Sequence, residues 1–418
     1  MKEIKRDYYL NKLIKRQENG RIKIITGIRR CGKSYLLNPI FKNYLIETGV
    51  PEDHIINLDL DYIENKKYHD PNMLFEYVMN KRKDDKTYYV LLDEIQEVSD
   101  FERVLNSFLG KGNLDVYVTG SNSKFLSNDI KTEFRGRGDE IRIYPLSFKE
   151  FSSACSGTGD QKWNQYVTYG GMPYILSLDT DEDKSQYLKD LFDNTYLKDI
   201  LERNKIYKDE ILDKTVDILS SSVGSLTNPK KIADTFVSQG IKEVSHKTIS
   251  VYIGYLLDSF MITKAERYDI KGRKYISTPS KYYFVDVGLR NARLNFRQIE
   301  QNHLMENIIY NELLMRGYNV DVGVVEQFSK NENGTTVKKQ LEIDFVCNQG
   351  SKRYYIQSAL NIDDEEKKAQ ELRPLLNVRD FFKKIIIVKD DIVPWHNEEG
   401  VLIIGIKDFL LREDSLDT

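Results

Sequence analysis

The sequence predicts an α/β protein built on a parallel sheet with helices on both faces, and three observations carry that prediction. Residues 22–34 run from an apolar, β-branched stretch into Gly-x-x-x-x-Gly-Lys-Ser. Residues 88–94 form a second apolar stretch that ends in two carboxylates, Asp93 and Glu94. Between 21 and 150, short apolar runs alternate with helical stretches, which is the pattern of strands joined by crossover helices. The expected strands are 21–26, 54–60, 87–93, 114–119 and 140–144. Ligands of such sheets bind at the carboxyl ends of the strands, where these motifs fall.

The first stretch has a specific chemistry. Gly27 and Gly32 let the backbone curl so that successive N–H groups surround a phosphate. A helix starting near Lys33 adds its positive end to the same place. Lys33 would reach the β- and γ-phosphates, and the Ser34 hydroxyl would ligate Mg²⁺. The binding loop is therefore Gly27, Ile28, Arg29, Arg30, Cys31, Gly32, Lys33, Ser34 and Tyr35. Arg29 and Arg30 are expected to point outward, because the backbone does the phosphate binding.

The second stretch completes a nucleotide site. Asp93 would hold the metal with Ser34, and Glu94 would polarise the attacking water. In the next strand, 115–119, the chain passes into Gly120-Ser121-Asn122-Ser123. Ser121 or Asn122 would contact the water or the γ-phosphate, although the turn also suits a plain connection. Arg135 and Arg137 lie on a glycine-flexed loop, where a guanidinium suits an arginine finger acting across a subunit interface. A solvated basic loop is the alternative.

Composition narrows the setting. The 418 residues are enough for two to four domains, and 40% hydrophobic with 30% charged residues is ordinary for a globular protein. With 62 Lys+Arg against 65 Asp+Glu the net charge is −3, so nucleic-acid contact would need a local basic patch. Three dispersed cysteines, Cys31, Cys155 and Cys347, suit a reducing compartment, and the five histidines show no zinc-ligand spacing. No apolar run approaches the ~20 residues of a membrane span. The expectation is a cytoplasmic protein with no membrane contact.

The rest of the chain follows in order. Residues 1–20 read as a charged amphipathic helix through Tyr8, Tyr9, Leu10, Leu13 and Ile14, packed on a first domain at 1–150. A helical lid or linker follows at 151–207, interrupted by the turn Tyr169-Gly170-Gly171-Met172-Pro173. Residues 208–298 show helices at 209–222, 229–237 and 246–260, then two extended runs around Lys271-Gly272-Arg273-Lys274, the order of a winged helix-turn-helix. Lys247, Ser250 and Tyr252 on its third helix, with Lys271, Arg273 and Lys274 on the wing, could meet DNA or RNA. Bridging between domains is the competing role. A last α/β unit at 299–418 has a helix at 302–316, strands near 318–326, 340–347, 352–357 and 384–388, and polar loops or exposed helix at 328–336 and 361–370.

These motifs carry a resemblance. Residues 20–150 resemble the ATPase module of the AAA type, through 27–34, Leu-Leu-Asp-Glu-Ile-Gln at 91–96, Thr-Gly-Ser-Asn-Ser at 119–123, Arg-Gly-Arg at 135–137 and Pro-Leu-Ser-Phe-Lys-Glu-Phe at 145–151. The whole chain resembles bacterial and archaeal ATPases in which that module precedes a winged helix and a C-terminal domain of unknown function. Tyr-Gly-Gly-Met-Pro at 169–173, Lys-Asp-Ile at 198–200 and Lys-Tyr-Tyr-Phe-Val-Asp-Val-Gly-Leu at 281–289 extend the match. The resemblance implies an AAA-like fold, ATP with Mg²⁺, and a possible homo-oligomer. The 299–418 unit is similar in order to restriction-endonuclease-like folds, with Glu306 on a helix, Asp344 on a strand and Gln357-Ser358-Ala359 where such folds carry Glu-x-Lys. Ala359 removes the lysine, so this unit is expected not to cut. The expected function is an ATPase that switches or moves the appended domains. A nucleic-acid-binding regulator using ATP as a ligand is the alternative, and an ATP-dependent nuclease a weaker one.

Overall fold

The computed structural model describes residues 4–120, 136–206, 210–238, 240, 244–330 and 336–417. The chain divides into two compact units: one takes in residues up to 145 with 258–260, and the other 146–257 with 261–418.

In the first unit five strands, β1 (Ile22–Thr26), β2 (Ile55–Asp59), β3 (Tyr88–Asp93), β4 (Leu114–Gly120) and β5 (Gly138–Arg142), pair in the order β2-β3-β4-β1-β5. Every neighbour is parallel. β1 and β3 are buried along their whole length, which explains why they are mostly apolar instead of alternating, and the one charge inside β1, Lys23, is paired with buried Asp115. The parallel arrangement brings the ends at Thr26, Asp59, Asp93 and Gly120 to the same edge of the sheet. Crossover helices supply the covering layer. In Phe101–Leu109, Phe101, Val104, Leu105 and Phe108 recur at helical spacing and are all buried, each stabilising the fold by roughly 1.5–3 kcal/mol. Pro71–Lys81 starts at Asp70, whose carboxylate accepts from the N–H of Asn72 and Met73, with Pro71 at the position where no donor is missed. The N-terminal helix, Asp7–Ile14, buries Tyr9 and Leu13 and leaves Tyr8 outside.

The second unit holds a mixed sheet of eight strands in the order β12-β13-β11-β10-β9-β8-β6-β7. These are β6 (Ile262–Asp269), β7 (Lys274–Phe284), β8 (Asn319–Lys330), β9 (Thr336–Gln349), β10 (Lys352–Ala359), β11 (Lys383–Val388), β12 (Trp395–His396) and β13 (Leu402–Gly405). Helices Glu210–Ser221, Pro229–Ser238 and His246–Asp258 precede the β6–β7 hairpin. That hairpin does not stand alone: β6 pairs in parallel with β8, Arg267 opposite Val322 and Asp269 opposite Val324. One continuous sheet therefore runs across the boundary expected at 298/299.

One local expectation is corrected here. Residues 328–330 and 336 are strand, not polar loop, because β8 and β9 continue their antiparallel ladder to Lys330 opposite Thr336. Backbone pairing holds this polar stretch extended without an apolar face to announce it. At 361–370 an exposed helix does begin, Glu365–Leu376, capped by Asp364.

The helical stretch at 151–207 is tied to the rest of this unit by buried polar contacts. Asp286 accepts from the backbone of Gly171 and Leu289, and the Asn291 amide donates to the carbonyls of Val167 and Thr168. The glycines of both motifs have a steric reason. A Cβ on Gly170 would lie 2.1 Å from the Asp286 carboxylate, and one on Gly288 would lie 2.0 Å from the Tyr169 carbonyl oxygen. Among the described residues no helix is long and apolar enough to cross a membrane.

Candidate nucleotide site

The loop after β1 curls as the two glycines require. Gly27 has φ +148°, and a Cβ there would stand 2.3 Å from the Ile143 carbonyl oxygen. Gly32 has φ +100° and leads directly into the helix at Lys33–Tyr35, where Asn38 and Pro39 then kink the chain. Ile28 and Cys31 are buried beneath the loop, and burial raises the Cys31 thiol pKa. Arg30 is exposed and Arg29 half-buried, while Ser34 and Tyr35 face outward. Lys33 is buried, and its ammonium donates to the loop carbonyls of Gly27 and Ile28, both at 3.2 Å.

The loop is held from outside the motif. Buried Arg6, just before the N-terminal helix, donates to the Cys31 carbonyl at 3.2 Å and to the Tyr144 carbonyl at 2.8 Å. One guanidinium thus ties the loop to the chain that leaves β5. Nothing local marks Arg6 among its charged neighbours, so no sequence motif reveals it.

The carboxylates converge beside the loop. Asp93 accepts from the hydroxyls of Thr119 and Ser34. The same Thr119 oxygen accepts from the Glu94 N–H at 2.9 Å. Glu94 has left-handed backbone, φ +51°, and Gln96 donates to its carboxylate. Asp59 stands opposite Asp93 in the β2–β3 register. Burial raises the Asp93 pKa, the Ser34 and Thr119 hydroxyls lower it, and the Glu94 and Asp59 charges push it further up. Asp59 is raised likewise, first by burial and then partly by Glu94. Thr119 and Asp59 are contributors that the motifs did not single out. Each is the last or next-to-last residue of a strand, and only the strand order shows which ends adjoin.

This donor set fits a hard divalent cation, since it offers a hydroxyl and carboxylate oxygens with surplus negative charge. Among the described residues no three His, Cys, Asp or Glu side chains form a metal cage unaided. A cation here would complete its shell with phosphate and water, as magnesium does at nucleotide sites. Ser121, Asn122 and Arg135 lie outside the described residues. Arg137 is described, exposed and remote. Its carbonyl accepts from Ile22 and the next residue pairs with Ile22, at the amino end of the sheet. Four residues of β1 separate that end from Thr26, ~13 Å at ~3.3 Å per residue.

Fold and site together define the class: residues 19–152 match the family described as an AAA domain, and the first unit is an AAA-type ATPase domain. Residues 160–300 match a domain of unknown function (DUF8612). The chain belongs to the same family as an uncharacterized protein of Haemophilus influenzae, with which it is 34% identical over 415 residues, 98% of this chain and 99% of the relative. It is also similar to the uncharacterized protein MJ1544 of Methanocaldococcus jannaschii, 28% identical over 368 residues, 84% of this chain and 77% of that one. Among solved structures it is similar to the Aeropyrum pernix ORC1 protein in complex with DNA, at 10% identity and TM-score 0.32, over 70% of this chain and 92% of the other. At that level the likeness carries no argument about function.

Proposed function

We propose that the first unit binds ATP with Mg²⁺ and hydrolyses it, and that turnover switches the second unit. The observation that carries this reading is the meeting of Ser34 and Asp93, 59 residues apart in sequence, hydroxyl on carboxylate at the mouth of the loop. Lys33 exchanges the carbonyls of Gly27 and Ile28 for the β- and γ-phosphates, so the loop is held in shape before nucleotide arrives. Ser34 and Asp93 hold the magnesium, which when bound neutralises charge on the phosphates. Glu94 accepts the proton of the attacking water. Thr119 fixes both acids, one through its hydroxyl proton and the other through its oxygen. Arg137 cannot reach the loop of its own unit and acts, if it serves as a finger, on a second copy of the chain.

The test is ATP turnover alongside nucleotide binding. Lys33→Ala should lose both, and Glu94→Gln should keep binding and lose turnover by about 10²–10⁴-fold. Hydrolysis at the parent rate by both variants would end this reading.

A second reading, nucleic-acid contact by the β6–β7 hairpin, rests on its exposed tip of Lys271, Arg273, Lys274 and Tyr275. Lys247 and Ser250 are exposed on the helix His246–Asp258 as well. Deleting the segment would remove β6 from the sheet, so the test is the charge reversal Lys271→Glu with Arg273→Glu and Lys274→Glu. Salt-dependent binding of DNA or RNA should fall in that variant, and undiminished binding would exclude the hairpin.

A further inference from the structure

The second unit contains a buried charge cluster that ATP chemistry does not use. Lys281 lies on β7, and its ammonium is 2.8 Å from Glu306, 2.8 Å from Glu342 and 3.3 Å from Asp344. Glu306 comes from the helix Gln301–Met315, while Glu342 and Asp344 share one face of β9 by strand alternation. Tyr283 donates to Glu306 at 2.7 Å, and the Ser358 N–H donates to Asp344 at 2.9 Å. The Gln357 side chain accepts from the Asp344 N–H at 3.3 Å and hydrogen-bonds the Glu371 carboxylate, a further acid that feels the Asp344 charge. Gly224 closes the cluster from outside, for a Cβ there would lie 3.1 Å from both Glu306 oxygens. Only Glu342 has substantial exposure, at 36% against 4% for Lys281.

Glu306, Asp344 and the residue at 357 are the positions where a nuclease-like arrangement would hold a divalent cation. The structure does not fit one there. Glu306 and Asp344 accept from the ammonium and Glu342 pairs with it as an ion, so the place of a metal is filled from within the chain. Placed around that ammonium, they form no metal cage. We propose that Lys281 is a covalently tethered substitute for a divalent cation, which makes this acid cluster metal-free by construction and closes it to metal-assisted phosphodiester chemistry. The charge balance agrees. Three carboxylates and one ammonium leave surplus negative charge, and burial pushes Glu306 up to about 7 against the pull of the ammonium. The neighbouring acids hold Lys281 protonated, raising its pKa against the effect of burial.

Removing the ammonium should therefore open a cation site. Mn²⁺ binding to the full-length chain, followed by the spin resonance of free Mn²⁺, tests this in an Asp93→Asn background that silences the nucleotide site. Lys281→Ala should gain a Mn²⁺ site at least about tenfold tighter than any residual binding, and adding Glu342→Gln should abolish the gain. Failure of folded Lys281→Ala to gain Mn²⁺ would overturn the proposal. Should that variant not fold, the chain with native Lys281 decides: its Mn²⁺ binding should be unchanged by Glu342→Gln, and a site lost on that substitution would show that a metal already binds there. Neither measurement depends on nucleotide, so this idea and the ATPase reading stand or fall separately.

Discussion

The two units each gather carboxylates, at strand ends in the first and between a helix and the middle of β9 in the second, and the contrast lies in what those carboxylates meet. Asp93, beside Asp59 and Glu94, accepts from the neutral hydroxyls of Ser34 and Thr119, while the nearby Lys33 ammonium is turned onto backbone carbonyls. In the second unit Glu306, Glu342 and Asp344 meet the Lys281 ammonium directly. The first arrangement leaves negative charge to be answered by a ligand. The second answers part of it internally, with an ammonium shared by all three acids. Clustered acids do not by themselves make a metal site, and the place of one lysine decides whether their charge is left open or met from within the chain.

The largest effect that would sharpen this comparison is on turnover, where Asp93→Asn should lower Mg²⁺-dependent ATP hydrolysis by more than about 10²-fold, with the folded state intact by circular dichroism. Next comes stability of the second unit. Lys281→Met should cost about 3–5 kcal/mol in denaturant unfolding, because it leaves buried carboxylates without their cation. Adding Glu306→Gln should recover part of that loss. Recovery would be absent if Lys281 contributed only packing.

A smaller effect is expected at Arg6, where Arg6→Ala removes the tie to Cys31 and Tyr144. Loss of hydrogen bonds to buried carbonyls should cost about 1–3 kcal/mol and weaken nucleotide binding, measured by titration with a fluorescent analogue. Thr119→Val should reduce turnover more than binding, since it frees both acids without touching the loop.

A third buried acid, Asp286, supplies the pH dependence. Among the described residues the backbone N–H groups of Gly171, Leu289 and Gly288 answer it, and burial pushes its carboxyl from an ordinary 3.8 up to about 6. A raised carboxyl binds more protons when folded than when unfolded, so its ionisation weighs against the fold above pH 6. Stability should rise as pH falls from 6 towards 3.8, with a slope for this group approaching roughly 1.4 kcal/mol for each step of one in pH. Asp286→Asn should flatten that segment of the stability curve, which urea unfolding at stepped pH would measure.

Much of the first unit was legible in the chain because its signals are local. Gly27, Gly32, Lys33 and Ser34 lie within one short stretch of chain, and an apolar strand running into Asp93-Glu94 announces its own end. The five strands fell within two residues of their expected bounds, since most of them are short, largely apolar runs between helical stretches. The hairpin β6–β7 was legible as a hairpin, but its pairing with β8 was not, because no residue in either strand encodes the identity of a parallel neighbour. The extension of β8 past its expected end near 326 was hidden because Gln327, Ser329 and Lys330 are polar.

By itself the sequence determined the phosphate loop, the acid pair and the class of sheet that presents them, all of which follow from residues within one turn or strand of each other. Only the tertiary structure decided that Arg6 clamps the loop, that Thr119 and Asp59 join Asp93, that Arg137 stands at the far end of its sheet, and that Lys281 fills the second acid cluster. Those partners lie 25 to 138 positions apart. Their energies come from burial and from charges brought within about 3 Å, and such distances exist only once the chain has folded.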